Sequence, residues 1–393
     1  MDLSDVFIVS FSRTPIGKFG GALSRLTAPE LGAIAIESAV RRSGLDPDDV
    51  DEVIMGNVLQ AMVGQNPARQ AAILAGIPKR VPGFTVNKVC ASGMKAIALA
   101  AQSIALGENR VVVAGGMESM SNAPYAMHPQ WRWGVRFSFA GEKLIDLMVH
   151  DGLTDPHTGL LMGEEAEETA RKWGITREEC DEFALSSHMK ASEATERGYF
   201  DREMERVSRG GISLDRDEGI RPDTSIEKIS KLKPVFRPDG VITAANASQL
   251  SDGAAALVLA HREVVEERGL EPVARIIGFA SASVEPEDFI EAPIYSTKRL
   301  LERIGMSLDE FDIVEHNEAF ALATLVVSKG LGIPLERVNP FGGAVAMGHP
   351  LGASGARIVV TLLNALRVRG KRRGLATICH GGGGAQSMAL ELV

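Results

Sequence analysis

The chain has 393 residues, of which 45% are hydrophobic and 24% are charged, and its formal net charge is −9. This length predicts two or three packed units, and the composition is that of an ordinary globular protein. The negative charge argues against a nucleic-acid partner, because a phosphate backbone needs a basic face on the protein.

Signals for targeting, membranes and metals are missing from the sequence. The sequence contains no uninterrupted run of about 18 apolar residues, so no membrane span is predicted. The start MDLSDVF lacks the basic residues of a signal peptide. The three cysteines, Cys90, Cys180 and Cys379, fit neither a disulfide framework nor the spacing of a zinc site. We therefore expect a cytoplasmic protein with no membrane partner and no bound metal.

The chain repeats itself at long range. Three pairs of segments recur in the same order: 6–15 with 274–283, 51–57 with 311–317, and 90–97 with 352–359. Three pairs of similar segments in the same order indicate a duplicated unit. Strand-like and helix-like segments alternate in each copy, which predicts an α/β architecture.

A different region interrupts the two copies. We assign 1–117 with 250–272 to an N-terminal half, 118–249 to a loop domain, and 273–393 to a C-terminal half. The loop domain contains a helix start at Thr176-x-x-Glu179, a capping-box pattern. Its aromatic segment 121–134 is a candidate oligomer contact.

Cys90 follows the apolar segment FTVNKV and precedes a helix-like run. A thiol at a helix N-terminus lies at the positive end of the helix dipole, which favours the thiolate. Small residues follow it and would let a substrate approach the backbone. A buried structural cysteine is the alternative, and position alone leaves the two interpretations about even.

His349 lies in a glycine-rich turn before a second helix, at the pseudo-repeat position that faces Cys90. An imidazole there could act as a general base, although a single histidine is more often structural. Cys379 ends a strand-like run before four glycines that begin at Gly381, and their N–H groups could form an oxyanion hole. Asn317 closes another strand and could hold a water or a carbonyl, or simply cap a helix.

Together, NKVCASGMKA, NEAFA, GGAVAMGHPLGASGARI and ICHGGGGA resemble the thiolase family, especially the acetoacetyl-CoA thiolases. The similarity extends over the whole chain. It implies two duplicated thiolase-fold halves, each αβαβαββ, stacked in a five-layered α-β-α-β-α core with a loop domain over the active site. It also implies a homodimer that assembles to a homotetramer.

The resemblance assigns roles to the catalytic candidates. Cys90 would carry the acyl group, His349 would take its proton, and Cys379 would move the proton at the α-carbon. One oxyanion hole would use the His349 side chain and a water on Asn317, and a second would use the N–H groups of Cys90 and Gly381. One cysteine cannot hold the acyl group and move that proton at once, which explains the second thiol.

The resemblance also implies that coenzyme A and acetyl-CoA are substrates and that no cofactor is tightly bound. It places the coenzyme A contacts at Arg221, Phe236, Ala244, Ser248 and Phe320. A guanidinium such as that of Arg221 suits a nucleotide, because it stacks on bases and pairs with phosphate.

Three residues depart from the family pattern. Leu161 stands where many short-chain members have histidine, which leaves the acyl-chain preference open. His316 and His380 occupy positions that are usually not histidine.

The leading hypothesis is an acetyl-CoA C-acetyltransferase of lipid and fatty-acid metabolism that works through acetyl-Cys90. The alternatives are a 3-ketoacyl-CoA thiolase of broader chain length and a catalytically dead acyl-CoA-binding scaffold, although the scaffold should have lost at least one motif.

Overall fold

The computed structural model describes residues 2–134 and 143–393. The segment 135–142, which belongs to the predicted loop domain, lies outside the described residues. The strands are β1 (Val6–Arg13), β2 (Gly17–Lys18), β3 (Glu52–Gly56), β4 (Gly83–Val86), β5 (Val111–Ser119), β6 (Tyr125–Ala126), β7 (Ile145–Asp146), β8 (Val207–Arg209), β9 (Ile212–Leu214), β10 (Ser251–His261), β11 (Ala274–Ser283), β12 (Ile313–His316), β13 (Arg373–His380) and β14 (Gly384–Leu392). The α-helices are α1 (Ala28–Ser43), α2 (Pro67–Leu74), α3 (Ser92–Ala105), α4 (Leu147–Gly152), α5 (Met162–Trp173), α6 (Arg177–Glu196), α7 (Ile226–Ile229), α8 (Arg262–Arg268), α9 (Ala292–Ile304), α10 (Ala321–Leu331), α11 (Ala344–Met347) and α12 (Leu351–Val368).

The predicted duplication appears in the sheet. Its strands follow the order β12-β13-β14-β11-β1-β10-β5-β3-β4. In the N-terminal part, β3 pairs in parallel with β4 and β5, and β10 and β1 continue antiparallel. In the C-terminal part, β12 pairs in parallel with β13, and β14 and β11 continue antiparallel. A parallel bridge between Val314 and Val338 stands where β4 stands in the first half.

The two five-strand patterns meet at β1 and β11, which are paired through Phe7 with Arg275 and Ile8 with Ala274. Helices α3 and α12 contact each other and lie between the two parts of the sheet. Helices α1 and α2 cover one outer face, while α9 covers the other with α10 beside it. This confirms the five-layered α-β-α-β-α core. Each half begins with a strand, β1 or β11, ahead of the αβαβαββ order. In the C-terminal half the bridge at Val338 takes the place of one strand of that order.

The close contact of α3 and α12 explains the repeated Ala-Ser-Gly tripeptide. A Cβ atom added to Gly93 would lie 2.7 Å from the backbone nitrogen of Ala356, and one added to Gly355 would lie 2.6 Å from that of Met94. These glycines therefore let the two helix backbones pack directly against each other. This packing brings the N-terminal ends of α3 and α12 close together.

Helix α12 is long and apolar enough to cross a membrane, but 89% of its residues are buried inside the protein. It is therefore the central core helix.

In the intervening region, α6 has Thr176 as its N-cap residue. The Thr176 side chain accepts a hydrogen bond from the Glu179 N–H, as predicted. Helices α5 and α6 contact α10 and α11 of the C-terminal half. The boundaries at 117, 249 and 272 stay predictions.

Candidate active site

Cys90 lies in a tight turn between β4 and α3, as the sequence predicted. The preceding residue, Val89, has φ of +46°, a left-handed conformation that is strained for a β-branched side chain. Ser92 holds the turn, because its hydroxyl accepts a hydrogen bond from the Lys88 N–H at 2.8 Å and donates to the Val89 carbonyl at 2.6 Å. Strain of this kind costs about 1–3 kcal/mol and is common where a reactive side chain must be presented.

Burial decides the protonation state of Cys90. It raises the pKa of the thiol to about 12, a rise to which the carboxylate of Glu118 adds. Hydrogen bonds from the backbone N–H groups of Cys90 and Gly381 act in the opposite direction, but they are weaker than burial. The expectation that the helix start would favour the thiolate is therefore outweighed, and Cys90 rests as a thiol that needs a base.

His349 is placed to be that base. Its Nδ1 lies 2.6 Å from the Ser354 Oγ, and the Ser354 hydroxyl donates its single hydrogen to the Pro350 carbonyl at 2.8 Å. His349 must then carry its own proton on Nδ1, which leaves Nε2 as an acceptor. Burial, together with the charge of Arg357, lowers the pKa of His349 to about 3, so the imidazole is neutral near pH 7.

Asn317 joins the histidine to a buried charge. Its Nδ2 lies 3.4 Å from His349 Nε2, and its Oδ1 accepts from Arg357 Nη2 at 3.4 Å. Arg357 is 1% exposed, and its Nη1 lies 3.9 Å from a carboxylate oxygen of Glu315. Asn317 is no helix cap, because α10 has Phe320 at its N-cap. The second half of the fold thus supplies both the base and the amide that orients it.

Cys379 approaches from the end of β13. The residue is 1% exposed, and burial followed by the nearby Cys90 raises the pKa of its thiol. The strand ends at His380, and Gly381 begins the turn that leads to β14. The fold therefore brings Cys379 and the Gly381 N–H close to Cys90, and it places Asn317 beside His349.

A largely apolar cavity of about 300 Å³ opens at His349. Three of the five predicted coenzyme A contacts line it: Phe236, Ser248 and Phe320. The rings of Phe236 and Phe320 meet edge to face with centroids 6.2 Å apart. Leu161 lines the same cavity, so the departure from the family pattern falls on the wall of the site.

The other two predicted coenzyme A contacts, Arg221 and Ala244, are exposed and do not line this cavity. The Arg221 N–H donates to Nδ1 of His188 at 3.2 Å, which fixes the backbone and leaves the guanidinium at the surface. A nucleotide tail outside the cavity could meet a guanidinium there. All five contacts remain predictions.

Sequence reasoning missed three supporting residues. Ser354 orients the imidazole, and Arg357 orients Asn317. Glu118 is fully buried and accepts hydrogen bonds from Asn57 at 2.6 Å and from the Gly352 N–H at 2.8 Å. Burial raises the pKa of Glu118 to about 7. An arginine inside the otherwise apolar α12 was a usable signal, because an unpaired buried charge is costly.

Comparison with known proteins covers the chain almost completely. Residues 6–263 match the family model described as "Thiolase, N-terminal domain", and residues 270–392 match "Thiolase, C-terminal domain". The acetyl-CoA acetyltransferase of Synechocystis is 47% identical over 100% of both chains, and that of Pseudomonas aeruginosa is 49% identical over 99% of both.

Solved structures give the same result. The Acat5 thiolase from Ascaris suum in complex with coenzyme A superposes with a TM-score of 0.94 at 44% identity, covering 99% of this chain and 100% of that one. The Bacillus anthracis acetyl-CoA acetyltransferase gives a TM-score of 0.95 at 44% identity, with 99% of both chains covered.

Proposed function

Because this chain belongs to the thiolase family, we propose that it is an acetyl-CoA C-acetyltransferase. It condenses two acetyl-CoA to acetoacetyl-CoA and CoA through acetyl-Cys90, and it catalyses the reverse thiolysis. The observation that carries the proposal is that α3 and α12, which follow Cys90 and His349, pack together at their N-terminal ends, while Cys379 lies near Cys90. Full-length relatives at 47–49% identity that are named acetyl-CoA acetyltransferase support it.

The first half-reaction is acyl transfer. The Cys90 sulfur attacks the thioester carbonyl while Nε2 of His349 takes the thiol proton. The backbone N–H groups of Cys90 and Gly381, which lower the pKa of the Cys90 thiol, would stabilise the oxyanion. When the carbon–sulfur bond to coenzyme A breaks, the Cys379 thiol gives its proton to the leaving thiolate. Acetyl-Cys90, the Cys379 thiolate and the His349 imidazolium remain.

The second half-reaction forms the carbon–carbon bond. A second acetyl-CoA loses an α-proton to the Cys379 thiolate, and the enolate oxygen is stabilised by His349 with Asn317. The carbanion attacks the acetyl-Cys90 carbonyl. Cys90 leaves as the product forms and takes its proton back from the His349 imidazolium, while Cys379 keeps the α-proton, so both thiols are restored. Burial raises the pKa of Cys379, so its thiolate is a strong base once formed.

Two forms of one experiment test this proposal. Mass spectrometry after incubation with acetyl-CoA should find an acetyl group on the peptide containing Cys90, and Cys90→Ala should abolish it. Cys379→Ala should keep the adduct and lose acetoacetyl-CoA formation. Cys180→Ala is the matched control, because Cys180 is buried in α6 and should affect neither readout. A wild-type protein that takes up no acetyl group would instead be the acyl-CoA-binding scaffold.

The preferred acyl length depends on the apolar cavity wall. Leu161 there leaves room for the second candidate, a 3-ketoacyl-CoA thiolase of broader chain length. Comparing thiolysis rates on C4 and C10 substrates separates the two. A C4 rate well above the C10 rate supports the acetyltransferase, and the reverse order supports the alternative.

The assembly and location are also proposals. Strand β4 ends the described sheet path with Phe84 39% exposed, and a sheet edge favours pairing with a second copy. Trp131 and Trp133 in the aromatic segment 121–134 are also exposed, which supports a homodimer that pairs into a homotetramer. Sedimentation of the wild type and of Phe84→Asp tests the dimer. A cytoplasmic location and a role in fatty-acid metabolism fit a mechanism that needs two reduced thiols.

A further inference from the structure

The turn from Gly381 to Gly383 carries a predicted oxyanion donor but has no side chains of its own. Gly382 and Gly383 have φ of +77° and +74°, a conformation that glycine adopts without strain. The Gly381 N–H is one of the two backbone groups that lower the pKa of the Cys90 thiol, so it lies near the sulfur. A glycine turn is intrinsically mobile, so a donor on it must be held in place by other residues.

Two side chains from different parts of the fold hold the peptide that follows this donor. Nδ1 of His380 lies 2.8 Å from the Gly381 carbonyl oxygen. The Gly382 N–H donates to Oδ2 of Asp155 at 3.1 Å. Both polar groups of the Gly381–Gly382 peptide are therefore engaged, one by the end of β13 and the other by the predicted loop domain.

Asp155 is itself rigidly placed. It is 1% exposed, and its Oδ1 accepts hydrogen bonds from the N–H groups of His157 at 2.7 Å and Thr158 at 3.2 Å. The loop that it anchors continues into Leu161 and Met162, and the Met162 sulfur would lie 3.3 Å from a Cβ atom added to Gly381. The loop thus closes over the turn that carries the donor.

We propose that Asp155 and His380 are positioning residues that clamp the Gly381–Gly382 peptide and so keep the Gly381 N–H directed at the Cys90 sulfur. The inference rests on the proposed function for its acyl-transfer role. It explains why histidine at position 380 is useful in this chain. Neither side chain touches the reacting atoms, and both act through one peptide plane.

The test uses Asp155→Asn, His380→Ala and the double variant in the full-length protein. The Asp155→Asn side chain has one acceptor oxygen, whereas the Asp155 carboxylate accepts hydrogen bonds with two. The His380→Ala side chain has no donor, so the Gly381 carbonyl loses its hydrogen bond. Each single variant should slow acetylation of Cys90 by acetyl-CoA by about 10-fold to 100-fold. The double variant should be scarcely slower than the worse single one, because both act on the same peptide. His380→Gln, whose amide can still donate, should recover much of the rate.

A second readout does not depend on acyl chemistry. Alkylation of Cys90 by iodoacetamide needs the thiolate, which the Gly381 N–H favours, so the same variants should slow it by about 3-fold to 10-fold at fixed pH. Asp151→Asn is the matched control: it makes the same change four residues earlier, on an exposed side chain paired with His150, and it should leave both rates near the wild-type values.

The outcomes are distinct. If wild type is alkylated but not acetylated, the proposed function fails while alkylation still reports on the clamp. Wild-type alkylation rates in folded Asp155→Asn and His380→Ala would overturn the clamp. An equal loss in Asp151→Asn, or simple additivity in the double variant, would overturn it as well. If Asp155→Asn does not fold, His380→Ala and its Gln counterpart decide the question alone.

Discussion

The Nδ1 atom of His349 lies 2.6 Å from the hydroxyl oxygen of Ser354, five residues further along the chain. The first turn of α12 brings the serine under the imidazole, and the Pro350 carbonyl takes the serine hydrogen. This pair fixes which nitrogen of the base carries a proton. The tautomer of the proposed base therefore depends on the Ser354 hydroxyl.

Replacing Ser354 should impair the base more than the fold. In Ser354→Ala the imidazole is free to place its proton on Nε2, so kcat for thiolysis should fall by about 10²-fold while KM changes little. Steady-state kinetics with acetoacetyl-CoA and CoA measure this. Thr361→Val, on the same helix and bonded instead to Glu203, serves as the control. Equal activity of Ser354→Ala and wild type would contradict the role.

The raised pKa of Cys90 predicts the pH dependence of its alkylation. The thiol of the free enzyme titrates at about 12 instead of 9.0, so its reaction with iodoacetamide should rise about tenfold per pH unit from pH 7 to 10. Mass spectrometry of the Cys90 peptide follows the rate. By linkage, the same burial makes the free energy of unfolding fall as the pH rises above 9.0, because the unfolded chain loses this proton first. A plateau in alkylation below pH 9 would contradict the prediction.

The glycines between α3 and α12 should tolerate no side chain. Gly93→Ala and Gly355→Ala would each push a methyl group against backbone nitrogen, at 2.7 and 2.6 Å. We expect each to lower the free energy of unfolding by about 3 kcal/mol, measured by urea denaturation. Gly253→Ala is the control, because its nearest neighbour would lie 3.5 Å away. A loss in Gly253→Ala as large as in the other two would remove the explanation.

The buried pair of Arg357 and Glu315 should behave as a unit. Arg357→Met alone leaves the Glu315 carboxyl group buried without its partner and should cost about 3–5 kcal/mol of unfolding free energy. The double variant Arg357→Met with Glu315→Leu should recover much of that stability. Activity should stay low in both, because Asn317 loses its anchor. Recovery of activity along with stability would show that Arg357 has no role in orienting Asn317.

Much of this protein could be predicted from its sequence. The repeated Ala-Ser-Gly segments and the alternation of strands and helices predicted a duplicated α/β fold. The four motifs around Cys90, Asn317, His349 and Cys379 predicted the five-layered core and the catalytic set through their resemblance to the thiolase family. Such features are local: a strand, a turn and a helix start are set by neighbouring residues. The thiol chemistry follows from residue type.

The tertiary structure decided the rest, because it depends on residues far apart in the chain. Burial outweighs the helix start at Cys90 and keeps the thiol protonated, and burial is a property of the whole core. The support given by Arg357 to Asn317, by Ser354 to His349 and by Asp155 to the glycine turn is a matter of hydrogen-bond distance. The sequence by itself determined which groups react, and packing determined their protonation, tautomer and direction.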